Sequence, residues 1–236
     1  MLDSLRSVIG ALVAELLRLR SEKCVSLDAI ATRLFIRSVL VKRAAELLSA
    51  EPGAGAKLVD GEICIEDALA LALTAVRLGV PETAISKSLD WRLFEEYARR
   101  AFSEAGYRVY RGLRVAGRGG LELDVLALAE AHAVAIDCKH WEPKYTVPSR
   151  LRDAARRHVE RIRRLEKYWD RLGLPQGCWR IVPALIVIKE NVPKIIEGVF
   201  IVPVSKLRGF IEELPVLLEA EEAASLKICS KQTRLF

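Results

Sequence analysis

Residues 121–141, LELDVLALAEAHAVAIDCKHW, constrain this chain more than any other stretch. They read as two adjacent strands, the first carrying Asp124 and the second ending in Asp137, Cys138 and Lys139. Side chains alternate along a strand, so Asp137 and Lys139 share one face while Ile136 and Cys138 share the other. The run Ala133, Val134, Ala135, Ile136 is continuously apolar, as expected of a strand covered on both sides. A carboxylate and an ammonium at its end are costly unless something pairs them. Two explanations stand open: a structural ion pair, or a site that holds a metal and a substrate.

The 236 residues allow one large domain or two modest ones, and 51% hydrophobic with 29% charged is a globular balance. Apolar runs such as 68–76 fall short of the roughly 20 residues a spanning helix requires, and the N-terminus lacks the layout of a signal peptide. The expectation is a cytoplasmic protein. Cys24, Cys64, Cys138, Cys178 and Cys229 are odd in number and without paired spacing, so neither a disulfide framework nor a zinc site is expected. Arginine outnumbers lysine 25 to 12, and Asn191, Gln176 and Gln232 are the only side-chain amides. That composition points to a thermophile.

The N-terminal third reads as helices followed by a hairpin. Leu5, Val8, Ile9, Leu12, Leu16 and Leu19 recur at helical spacing. Ser26 is placed to cap a short helix over 27–34, and a second helix runs over about 37–49. Asp60-Gly61 between two β-prone runs predicts a two-residue hairpin turn. This order is that of a winged helix, and residues 26–48 resemble a helix-turn-helix in which Phe35 stands where many such turns carry Gly. If the unit binds DNA, Arg37, Ser38, Lys42 and Arg43 lead its second helix into the major groove; otherwise it is a packing or dimerisation module with solvated charges. The helix over 68–78 is apolar nearly all round and is expected to lie between the two halves of the chain. The predicted layout is a winged-helix-like domain over 1–66, connecting helices over 67–89, a second domain over 90–228 and a tail over 229–236.

In the second domain, Asp90 is placed to cap a helix that ends at Gly106. Trp91, Phe94, Ala98, Ala101, Phe102 and Ala105 gather on one face, with Glu95 at its edge and Glu96 pointing away. The plain reading of Glu95 is a boundary glutamate paired with Arg99. A strand over 107–115 and a glycine-rich turn lead into the strand of Asp124, where Glu122 and Asp124 share a face. After Pro148, a helix to Leu172 places Leu151, Ala155, His158, Ile162, Leu165, Trp169 and Leu172 on one stripe, which makes His158 a core residue. Arg152, Arg156, Arg157, Arg163, Arg164 and Lys167 lie opposite, available to phosphates. Eleven Lys and Arg against four Asp and Glu over 143–180 favour a polyanion over a solvated, ion-paired face. Trp141 and Tyr145, near Lys144, either stack on a base or support their loop. Buried strands over 181–188 and 199–204 and a helix over 210–224, interrupted at Pro215, complete the domain.

Glu95 on a helix, Asp124 on the second of three strands, and Asp137, Cys138, Lys139 on the third resemble the PD-(D/E)XK nuclease superfamily. The local sequence LFEEYARRAFSEAGYRV is similar to the opening of Mrr-type restriction endonucleases and archaeal Holliday-junction resolvases. The resemblance implies a restriction-endonuclease-like α/β fold, a mixed-sheet αβββαβ core beside the mostly helical winged-helix-like domain. It also implies a Mg²⁺- or Mn²⁺-dependent DNA endonuclease in repair, recombination or restriction. On that match Glu95, Asp124, Asp137 and Lys139 are catalytic, and Asp124, Asp137, the Cys138 carbonyl and Glu95 hold the metal. Leu123 replaces the name-giving proline, and Asp137 stands where Mrr-type enzymes often have Gln. The alternative is a non-catalytic DNA-binding regulator or scaffold on the same fold. A homodimer is the expected assembly of a junction resolvase. The final SKQTRLF resembles a shortened sliding-clamp-binding peptide anchored by Gln232, Leu235 and Phe236, against the plainer reading of a disordered tail.

Overall fold

Two successive sheets organise the chain in the computed structural model, which describes residues 2–230 apart from 82, 83, 86, 87, 89, 118 and 221–224. The first sheet belongs to the unit Met1–Leu93 and the second to Phe94–Phe236. In the first, α1 (Leu2–Arg18), β1 (Cys24–Ser26), α2 (Leu27–Leu34), α3 (Ser38–Ala50), β2 (Ala56–Val59) and β3 (Glu62–Ile65) precede α4 (Ala68–Arg77). Val8, Ile9, Leu12 and Leu16 of α1 are buried with Ile30 of α2 and Val41, Ala44 and Leu48 of α3. The spacing that predicted helices is thus the spacing of the core.

Caps and turns follow local chemistry. Ser26 Oγ accepts from the Ala29 N–H, and Asp67 Oδ1 accepts from the N–H groups of Leu69 and Ala70 at the start of α4. Asp60 and Gly61 both take positive φ, 46° and 81°, closing the hairpin of β2 and β3. At Phe35 the chain ends α2 in the left-handed conformation, φ 54°, that glycine would adopt without strain. The Phe35 side chain is 97% exposed, so no packing offsets that strain. Helix α4 packs on α1 and α3 within this unit.

Helix α5 (Trp91–Glu104) leads into the second unit, and its first turn is capped by Asp90 Oδ1 accepting from the Leu93 N–H, 3.0 Å. Strands β4 (Arg108–Val115), β5 (Leu121–Leu128) and β6 (His132–Lys139) form an antiparallel meander. Helix α6 (Pro148–Tyr168) then crosses over to β7 (Cys178–Val187), which lies parallel to β6. Beyond it come β8 (Ile195–Ile196), β9 (Val199–Pro203), α7 (Leu207–Glu219) and β10 (Leu226–Cys229). The sheet order is β4-β5-β6-β7-β9-β8, with β10 also on β7. Because β9 pairs with residues 184–187 of β7 and β10 with 178–181, the two share one edge end to end. This is the mixed-sheet αβββαβ core expected of a restriction-endonuclease-like fold. Pro215 lies within α7 without ending it, since its neighbours Leu214 and Leu217 are anchored in the core.

Helix α6 covers one face of the sheet. Its first half packs Leu151, Ala154 and Ala155 on Leu185, Val187, Val199 and Ile201. Its second half, with Trp169 just beyond its end, packs Ile162 and Leu165 on Leu121, Leu123, Leu126, Leu128, Ala133 and Ala135. On the other face Phe200 meets Phe210 of α7 and His140 meets Phe94 of α5.

The cysteine reading is corrected. Cys24 bonds to Cys64 and Cys178 to Cys229, leaving Cys138 as the free thiol. Each pair sits directly opposite in an antiparallel ladder, β1 with β3 and β10 with β7. Separations of 40 and 51 residues carry no spacing signal, because strand pairing alone brings the partners together. No helix among the described residues is long and apolar enough to cross a membrane.

Candidate active site

The charged cluster lies where two strands part. The ladder of β5 and β6 stops at Val125↔Ile136, one residue before both Asp124 and Asp137. On the other side of β5, Gly112↔Asp124 is the pair missing from an otherwise regular ladder with β4, and Gly112 has φ 61°. Leu121 and Leu123 share the α6-side core with Leu126 and Leu128, which strict alternation forbids. The alternation therefore slips once, at Gly112 and Asp124 together, while the pairing register stays the same on either side. Strict alternation had put Glu122 and Asp124 on one face. Instead Glu122 is exposed, and Asp124 is half-buried and turned onto the neighbouring strand.

There Asp124 Oδ2 accepts from the backbone N–H of Cys138 at 2.7 Å, a donor freed by the end of the ladder. Burial, and then the charge of Asp137, raise the Asp124 carboxyl above its ordinary range. Asp137 is almost fully enclosed: its Oδ2 lies 2.5 Å from Lys139 Nζ and its Oδ1 3.1 Å from the Arg161 guanidinium. Burial pushes Asp137 up, but Lys139, with His158 when protonated and Arg161, outweighs it and holds the carboxyl low. Both cations keep about a fifth of their surface in solvent, 21% for Lys139 and 24% for Arg161.

Arg161 escaped the sequence reading. It lies three residues beyond His158 on α6, between the apolar stripe and the row of exposed arginines. The signal was an arginine at the border of a stripe that passes over the D-x-K strand. His158 is wholly buried and donates from Nε2 to the Ala135 carbonyl, 2.9 Å; burial lowers its pKa to about 4. It is neutral near pH 7, and its Nδ1 has no hydrogen-bond partner.

Asp124, Asp137 and Lys139 are thus brought together. Glu95 is half-buried on α5, and its charge is among those that raise the Cys138 thiol, after burial, Asp124 and Asp137. Arg99, its expected partner, bonds Glu96 instead, at 2.7 and 3.0 Å, and Arg100 and Arg111 join the same carboxylate. Among the described residues no three His, Cys, Asp or Glu side chains form a metal-holding group. The aspartate pair alone fits Mg²⁺, which takes one or two carboxylates and fills its other positions with water and phosphate oxygens. Asp137 Oδ2 faces Lys139 Nζ at 2.5 Å, so it is open to a cation once that ammonium moves aside.

Of the predicted nucleic-acid contacts, Arg37, Arg157 and Arg164 are exposed and lack an ion pair among the described residues. Lys42 pairs with Asp28 at 3.2 Å and Arg43 with Glu46 at 3.1 Å. Arg152 and Arg156 both reach Glu197, at 3.6 and 3.0 Å, and Arg163 pairs with Glu160. Lys167 lies over the Tyr168 ring. The face is therefore more neutralised than Glu160 and Glu166 alone allowed, because Glu197 arrives from the β8–β9 turn. Gln232, Leu235 and Phe236 lie outside the described residues.

No curated protein matches the chain. The crystal structure of protein VC1899 from Vibrio cholerae is similar with a TM-score of 0.34 and 14% identity, over 94% of this chain and 54% of that one, so this chain spans about half its length. Residues 86–167 match the family model described as restriction endonuclease. That segment holds α5, the three-stranded meander with Asp124, Asp137 and Lys139, and α6 through Lys167, so the similarity to a restriction endonuclease falls on the part of the chain that bears the charged cluster.

Proposed function

We propose that the protein is a metal-dependent DNA endonuclease. The observation that carries this reading is the meeting of Asp124, Asp137 and Lys139 where β5 and β6 part, within the segment that matches a restriction endonuclease family. A bound Mg²⁺ or Mn²⁺ would supply Lewis-acid neutralisation of the phosphate and a more acidic water. Asp124 and Asp137 are the residues to hold it, with the Cys138 carbonyl and Glu95 as further candidates. Arg161 fixes Oδ1 of Asp137, so the other oxygen keeps its direction. Lys139 holds the attacking water or the developing phosphate charge, an act that requires its ammonium to leave Asp137 for substrate. Burial raises the cost of leaving Asp137 with Arg161 alone, so substrate or cation must replace the ammonium as Lys139 departs.

The test is a cleavage panel of single-stranded, duplex, flap and four-way DNA with Mg²⁺ or Mn²⁺. Asp124→Ala and Lys139→Ala are each expected to lose about a hundredfold or more while the fold, followed by circular dichroism and melting, persists. Cleavage equal to the parent's in those variants overturns the reading.

One observation favours a second reading, a DNA-binding scaffold without turnover: Asp137 is already neutralised by two cations. That reading predicts salt-sensitive DNA binding that survives both substitutions and no cleavage with either metal. In both readings the first unit is a winged-helix-like DNA-binding domain. Its order α1-β1-α2-α3-β2-β3 with sheet order β1-β3-β2, and the exposed Arg37, Lys42 and Arg43 on and before α3, support this.

A further inference from the structure

Immediately after Lys139 the chain forms a short loop whose aromatic and cationic side chains are interleaved. The Arg150 guanidinium carbon lies 4.3 Å from the Trp141 ring centroid and 5.9 Å from that of Tyr145. Lys144 Nζ lies 4.6 Å from the Tyr145 centroid, and Lys139 Nζ itself 5.9 Å from that of Trp141. The cluster is thus joined to the candidate active site through one shared residue.

The loop is held firmly while its tip stays open. Pro143 and Thr146 are buried, the Thr146 carbonyl accepts from Lys189 Nζ at 3.1 Å, and Trp141 packs against the core beneath α6. Tyr145 nevertheless keeps 50% of its surface in solvent, and Arg150 is exposed beside it. A pinned loop that presents an open ring framed by two cations suits a flat, electron-rich ligand attached to an anion. Base stacking on aromatic and guanidinium planes is such an interaction, and a fixed platform loses little freedom on binding.

We propose that Tyr145, Arg150 and Trp141 form a platform for an unstacked nucleobase, in the strand whose phosphate lies at Asp124, Asp137 and Lys139. The proposal rests on the nuclease reading and narrows its substrate: DNA that is single-stranded or distorted beside the cut. Tyr145 and Arg150 make the contact with the base, and Trp141 backs Arg150. Lys144, paired with the partly exposed Glu142 at 3.1 Å, can exchange that carboxylate for the adjoining backbone.

The experiment measures binding without divalent metal, so that it is separate from cleavage. The full chain is titrated with an oligonucleotide carrying 2-aminopurine, as single strand and as perfect duplex, in the presence of EDTA. Stacking is expected to quench the fluorescence in the single strand. Tyr145→Ala and Arg150→Ala are each expected to weaken single-strand binding about tenfold and abolish the quench, while duplex binding changes less than twofold; Tyr145→Phe should keep both. Absence of quenching with the parent protein, or equal weakening of single strand and duplex, overturns the platform. DNA cleavage that persists alongside such a result leaves the nuclease reading intact. Quenching without cleavage by any metal removes the nuclease and retains the platform as a binding site.

Discussion

Two groups of ion pairs that involve α6 each set one carboxylate between two cations, in opposite surroundings. Asp137, almost wholly enclosed, is held by Lys139 and Arg161; Glu197, 36% exposed, is held by Arg152 and Arg156. Water screens the second set, so those arginines can exchange Glu197 for a phosphate at small cost. The first set has no such freedom, because removing one charge leaves the others poorly solvated. One helix therefore carries a fixed electrostatic frame on its inner side and an exchangeable one on its outer side.

The sharpest way to break this contrast is to delete the enclosed charge. Asp137→Ala is expected to destabilise the protein by about 3 kcal/mol or more in urea or thermal unfolding, since Lys139 and Arg161 then face each other uncompensated. A loss under about 1 kcal/mol would place the two knots in the same class. A slightly smaller effect is expected from pH. His158 has a folded pKa of about 4, depressed from 6.5 by burial, so between those values the unfolded chain binds the extra proton. Its contribution is present above pH 6.5 and is lost as pH falls toward 4, by up to about 3 kcal/mol. His158→Leu should flatten the stability profile over that window, and an unchanged slope would show that other groups set it. The smallest effect belongs to the outer set: Glu197→Ala should change stability by less than about 0.5 kcal/mol. It should also tighten DNA binding at low salt by freeing Arg152 and Arg156. Weaker binding would mean that Glu197 positions those arginines rather than competing for them.

The parts legible in the sequence are those set by neighbours in the chain. Asp60-Gly61 specifies its hairpin because two adjacent residues must accept positive φ, and Ser26 caps α2 through an atom three residues away. Asp137 and Lys139 share a face because strand period requires it. Arg161 was not legible, because its meeting with Asp137 depends on how far α6 is rotated over β6, a matter of packing. The slip at Asp124 depends on Gly112 in the adjacent strand, and both disulfides depend on strand register. Helical periodicity places Glu95 at the edge of its stripe, and its half-buried position on α5 agrees with that edge.

The disulfides also divide the chain topologically. Cys24–Cys64 and Cys178–Cys229 each close a covalent ring, the first around α2, α3 and the β2–β3 hairpin, the second around β7, β8, β9 and α7. A single proteolytic nick inside either ring leaves one connected molecule, whereas a nick between them cuts it in two. Glu95, Asp124, Asp137 and Lys139 all lie on the open span between the rings, so the stretch that bears the chemistry is also the stretch where one severed peptide bond parts the chain.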